Sequence, residues 1–215
     1  RSKKIKCEGE RLGFAYRPGP DPALLAKFAA FLPEPSPNEV SSSQGQSSDD
    51  VIIFKSESAP KESLADILEG VLATRPLTFF TYTRSALVRE GRRLQYPDFV
   101  HHLVLAESSL GLPQMRIIPR NDASSSPPPL IFEHEDFSRL YCVVSDDSDS
   151  ARALFSPEML DFMVTHQDLD VRLSGNVVSF LFEGPLEAHD IQSRAGQMLE
   201  FLDIAGASQR RAQME

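Results

Sequence analysis

The densest group of side chains able to bind a metal or move a proton is Glu133-His134-Glu135-Asp136. An imidazole among carboxylates offers a general base, and a hydrolytic site would use His134 with Glu135, Asp136 and the later Asp146. A metal ion needs three or four donors converging on one point. Neighbours along a chain point to different sides, so His134, Glu135 and Asp136 are weak metal candidates, and a solvated turn is the simpler reading. Asp146, Asp147 and Asp149 resemble the start of a calcium loop. Counted from Asp147, however, the fifth position is Ala151, and no register supplies the Gly and Glu that complete such a loop. These carboxylates suit helix N-termini better, where the dipole favours negative charge.

His101 and His102 are adjacent. On a strand they face opposite sides and cannot share one ion. Cys142 sits among Leu140, Val143 and Val144 and reads as a buried thiol rather than a nucleophile. A Gly-x-Ser-x-Gly elbow, a phosphate loop and a Gly-x-Gly-x-x-Gly turn do not occur. These readings assign no catalytic residue and no cofactor. A small basic group, Arg89, Arg92 and Arg93, reads as a solvated loop.

The elements around these residues follow from periodicity and from turn chemistry. Residues 3–16 carry a weak apolar stripe of Ile5, Leu12, Phe14 and Tyr16 and are expected to continue as a helix up to Pro18-Gly19-Pro20. Asp21 followed by Pro22 is a cap with proline at the first helical position. Leu24, Leu25, Phe28, Phe31 and Leu32 then follow helical spacing. Residues 34–50 are Ser- and Pro-rich without periodicity and read as a flexible loop, and 51–54 (VIIF) as a short strand. Residues 67–73 and 78–84 are strand-like, with the bend at Arg75-Pro76, and Gly70 marks a bulge or a close backbone approach. Residues 85–97 read as a hairpin loop. Strands are expected at 99–107 and 114–119, and 120–129 reads as an internal loop dividing the chain.

In the second half, residues 137–141 read as one helical turn and 140–144 as a strand. Asp149 or Ser150 is expected to cap a short helix. Ser156-Pro157-Glu158 is a strong helix start. Residues 170–184 read as a hairpin turning at Gly175-Asn176, since that turn needs positive φ. A final amphipathic helix spans 186–204, with Ile191, Ala195, Met198, Leu199 and Leu202 on one face, and 209–215 fray. The fold class is α+β, an antiparallel sheet built from meanders and hairpins with helices packed on one face. Residues 1–215 read as one such domain.

Charge is unevenly placed. The net charge is −9, and residues 133–170 alone hold ten acidic and two basic groups, net −8. Residues 1–17 hold six basic and two acidic groups, net +4. Overall acidity excludes broad nucleic-acid binding, which needs a basic face to displace counterions. Two distant cysteines favour a reducing compartment over a disulfide. The opening RSKKIK has the basic composition typical of the cytoplasmic flank of a membrane helix, so 1–17 reads as a basic juxtamembrane-like leading segment.

The stretches KIKCEGERLGFAYRPGPDPALLAKF, ILEGVLATRPLTFFTYTR, FVHHLVLAESSLGLPQMRIIPR and FEHEDFSRLYCVVSDDSDSARALFSPEMLDFM occur in this order. Together they resemble a family of bacterial membrane-anchored proteins of unknown function, common in actinobacteria. Gly13-Phe14, Gly70 and the Phe80–Tyr82 pair take the family's positions. The resemblance covers most of 5–204 except 34–60. It implies a membrane helix before Arg1, one domain at the cytoplasmic face of the cell membrane, and no catalytic residue to carry over. The expected function is a non-enzymatic interaction module. It would bind a protein partner or another copy of itself and meet anionic membrane through Arg1, Lys3, Lys4 and Lys6. The alternative is a small-molecule or lipid-binding domain with an apolar cavity.

Overall fold

The computed structural model describes residues 1–33, 61–86, 88–90, 93–95, 97–120, 130–167 and 169–212, with backbone alone for 88–90, 93–95 and 212. The expectations for 34–50, for a strand at 51–54, for the loop after Arg120 and for Arg92 lie outside these residues, as do the side chains of Arg89 and Arg93.

Helix α1 (Ser2–Arg11) leads into the short strand β1 (Ala15–Arg17), then α2 (Pro22–Lys27) and a 3₁₀ turn (Ala29–Phe31). Next come β2 (Lys61–Leu72), β3 (Arg75–Ser85), a small ribbon of β4 (Val88–Glu90) and β5 (Arg93–Gln95), and the long β6 (Asp98–Pro119). The second half holds α3 (Glu135–Leu140), β7 (Tyr141–Ser145), α4 (Ser148–Leu154), α5 (Pro157–Thr165), β8 (Asp170–Glu183) and α6 (Asp190–Ala212). The α+β class holds: β1, β2, β3, β6, β7 and β8 form one antiparallel sheet.

Strand β6 is the spine. Along one edge it pairs with β8, from His101↔Glu183 to Ile117↔Val171. Along the other edge it meets two strands in succession: β3 from Asp98 to Ala106, then β7 from Met115 to Pro119. The expected pair of strands at 99–107 and 114–119 is therefore one strand. Likewise the expected hairpin at 170–184 is one strand, β8. Gly111 and Gly175 both have φ of +58°, and the register shifts around Leu112↔Gly175. A glycine at positive φ serves a bulge as well as a reversing turn, and here it bends a ribbon that continues.

Three other boundaries move. The β2–β3 turn is at Ala73-Thr74, both at positive φ (49° and 67°), rather than at Arg75-Pro76, which lies inside β3. Helix α1 ends at Arg11, so Phe14 and Tyr16 belong to the segment that leads into and forms β1. Helix α6 begins later than expected and runs on to Ala212.

Most helices cover one face of the sheet. There Val104, Phe79, Val178 and Phe180 meet Met159, Phe162, Ile191, Met198 and Phe201 from α5 and α6, with Ile5 from α1. The other face carries Leu64, Ile67, Phe80, Tyr82, Leu103 and Leu105, and α2 with its 3₁₀ turn packs Leu24, Phe28 and Phe31 against it. Phe79 and Phe80 thus serve opposite cores, as strand alternation requires. Each fully buried phenylalanine is worth about 1.5–3 kcal/mol of apolar burial.

Candidate functional site

The acidic cluster does not assemble a centre. His134 caps α3: its Nδ1 accepts from the Phe137 backbone N–H at 3.1 Å, which occupies that lone pair. Its Nε2 lies 3.8 Å from Asp161 on α5. Asp136 pairs with Arg139 at 3.0 Å. Glu135 and Asp136 stand in the first turn of α3, where the helix dipole favours them. Among the described residues, no three His, Cys, Asp or Glu side chains gather as a metal would require.

Asp147, not Asp149 or Ser150, caps α4. One of its oxygens accepts from the Asp149 and Ser150 backbone N–H groups, and the other accepts from Ser150 Oγ at 2.6 Å. Those Ser150 bonds hold its carboxyl below the usual range. Capping won because the Asp147 carboxylate reaches two N–H groups that the helix leaves open.

His101 and His102 face opposite sides, as their adjacency implies. His102 is buried against the main helical layer, and its Nδ1 donates to Gly184 O at 3.2 Å. His101 is half-buried on the α2 side. Burial pushes both imidazoles below their ordinary pKa. Cys142 is buried and Cys7 exposed, both as free thiols.

The arrangement with the clearest architecture is the leading helix. Ile5 and Gly9 seat α1 on the sheet, while Lys3, Lys4 and Lys6 are exposed. Gly9 permits a close approach: a Cβ there would come within 2.4 Å of Leu68 Cδ2, so the Leu68 side chain would have to shift. The N-terminal end is tied by Asp66, which is only 2% exposed and has φ of 51° at a bulge in β2. Its carboxylate accepts from Arg1 Nη2 at 2.8 Å and from Tyr16 Oη at 3.0 Å. Burial pushes the Asp66 carboxyl up, but hydrogen bonds from Arg1, Ser2 and Tyr16, with the Arg1 charge, outweigh it and hold the pKa below normal. Arg1 is therefore committed to Asp66, while Lys3, Lys4 and Lys6 are exposed, with Lys6 3.8 Å from Glu10 one turn on. At the other end Arg11 reaches Glu8 at 2.6 Å and Gln192 of α6 at 3.3 Å.

Sequence reasoning missed Asp66. Its only signal is the break in apolar alternation at Ala65-Asp66, inside a run otherwise suited to a strand. It also missed Arg172, buried on β8, which shares Asp170 with Arg116 and donates to Leu32 O at the end of the 3₁₀ turn.

No family model and no curated protein matches this chain. The fold is nevertheless found in a solved structure. The crystal structure of the mycobacterial trehalose monomycolate transport factor A, TtfA, superposes with a TM-score of 0.58 over 94% of this chain and 93% of that one. Sequence identity is 10%, so the likeness is one of fold. Among the described residues, no helix is long and apolar enough to cross a membrane.

Proposed function

We propose that this chain is a non-enzymatic docking domain of a membrane-anchored bacterial protein, which rests α1 against an anionic membrane surface and works there through a protein partner. The observation that carries this is α1 itself: Ile5 and Gly9 lock it to the sheet while Lys3, Lys4 and Lys6 stay exposed on its outer side. A helix held this firmly presents its charges in fixed positions.

The charge layout supports the same reading. The whole chain is acidic, so an anionic surface would repel it unless the basic end approached alone. Ala65, beside Asp66, lies level with Thr81 and His102, whereas β7 pairs further along β6, from Tyr141↔Pro119 to Ser145↔Met115. The fold likeness to a protein named for transport of a mycolate lipid is in keeping with a setting at a lipid surface.

The test is vesicle co-sedimentation. The chain should bind vesicles containing phosphatidylglycerol and not pure phosphatidylcholine. Each lysine near such a surface is worth about 1 kcal/mol, so reversing Lys3, Lys4 and Lys6 to Glu should abolish binding, and high salt should do the same. Equal binding by the triple variant would refute the proposal.

A further inference from the structure

We infer that His102 is an acid-responsive tie between β6 and the crossover that carries the chain from β8 into α6. In its neutral form it holds that crossover down, and a proton on it lets the crossover open.

The geometry is specific. The His102 Nδ1–H bonds Gly184 O, the first residue beyond β8. Two residues on, the Leu186 N–H donates to Thr81 Oγ1, and Thr81 is the β3 neighbour of His102. The two bonds pin the same crossover to adjacent positions of the sheet. The His102 ring stacks on Phe182 with centroids 4.8 Å apart. The Arg194 guanidinium from α6 lies 3.9 Å from the same Phe182 ring. Among the described residues, His102 Nε2 is buried and has no hydrogen-bond partner, and Arg194 Nε is in the same condition.

Consequently a second proton on His102 is poorly received. It would create a buried N–H without an acceptor and place a second cation near Arg194. The charged groups around the ring divide. Asp190, at the start of α6, favours the proton, while Arg194 and His101 oppose it. Asp190 also has the exposed His189 at 3.6 Å, and Thr81 and Phe182, the strand neighbours on either side, are uncharged. Burial is the largest opposition; it outweighs the Gly184 bond, which the protonated ring would keep, and holds the imidazole below its ordinary pKa. Because the open form binds the proton more readily, the closed form loses ground as pH falls below about 6.5, and stops losing it at the folded-state value.

The experiment is amide hydrogen exchange on the chain at pH 7 and pH 5, together with NMR titration of the His102 ring. Protection at Leu186 should fall by up to about tenfold per pH unit below 6.5, while β2 and β3 amides keep theirs. His102→Asn retains a donor for Gly184 O and does not titrate, so its crossover should show no such fall. A His102 that titrates at or above about 6.5, or a loss of protection spread evenly over the chain, would overturn the inference. Should the Asn variant not fold, the ring titration and exchange pattern of the unaltered chain decide the matter.

Discussion

Arg1 Nη2 donates to Asp66 Oδ2 across 2.8 Å, joining the first residue of the chain to a bulge in β2. The bond spans 65 residues of sequence and fixes the direction in which α1 leaves the sheet. Asp66→Asn keeps the size and tolerates positive φ. It removes the charge that Arg1 and Tyr16 address. The expected cost is about 1–3 kcal/mol in denaturant unfolding, with faster proteolysis within α1.

The same carboxylate sets a pH dependence. Its folded pKa is depressed, so it stabilises the fold above the unfolded value of about 3.9, and that contribution is lost as pH falls through the lower folded value. Acid unfolding followed by circular dichroism should show a shallower dependence for Asp66→Asn than for the parent chain over that window.

Two glycines should respond in opposite directions. A Cβ at Gly70 would sit 2.7 Å from Phe14 Cδ1 and 3.1 Å from Phe14 Cα, so the backbone itself obstructs it. Gly70→Ala is expected to destabilise by about 1–3 kcal/mol. Gly196 lies inside α6, and a Cβ there meets nothing within 4 Å. Gly196→Ala should stabilise by about 0.5–1 kcal/mol, read as a rise in Tm.

The cap of α4 distinguishes neighbouring aspartates. Asp147 accepts two backbone N–H bonds, whereas Asp149 only lends charge to the first turn. Thermal melts should place Asp147→Ala about 1 kcal/mol below the parent and Asp149→Ala within about half of that.

Phe28 tests whether the second face is a true core. It packs on Phe80, with ring centroids 6.2 Å apart, and on Phe31 at 6.4 Å. Phe28→Ala should cost about 3–5 kcal/mol by chemical denaturation, as for any large core truncation. A cost below about 1 kcal/mol would mean that α2 rests on the sheet without holding it.

Much of this architecture was legible because local rules and tertiary packing agreed. Asp21 with Pro22 and Ser156 with Pro157 start α2 and α5 as their chemistry requires, with Asp21 Oδ1 accepting from Leu24 N at 2.9 Å and Ser156 Oγ from Met159 N at 3.3 Å. The α6 stripe of Ile191, Ala195, Met198 and Leu202 is buried, and it extends to Phe201 and Ala205. Gly70 marked a close approach because nothing larger fits beside Phe14. What sequence could not resolve was whether a positive-φ glycine reverses a strand or only bends it. Gly111 and Gly175 look like turn residues in isolation and become bulges because their strands stay paired on both sides of them. Asp66 was illegible for a similar reason. A lone carboxylate in a strand reads as a surface residue until Arg1 and Tyr16, distant in sequence, are brought to it.

The spine has a consequence for how this molecule comes into being. Synthesis that has reached Arg120 has already produced β6, yet the partner that lines its whole second edge, β8, is still at least fifty residues away. Until then the nascent chain exposes an unfinished seam of backbone donors and acceptors, inviting any passing strand to zip onto it. A polypeptide severed between Arg120 and Leu130 would yield two mutually adhesive fragments, each sticky alone and soluble only when reunited.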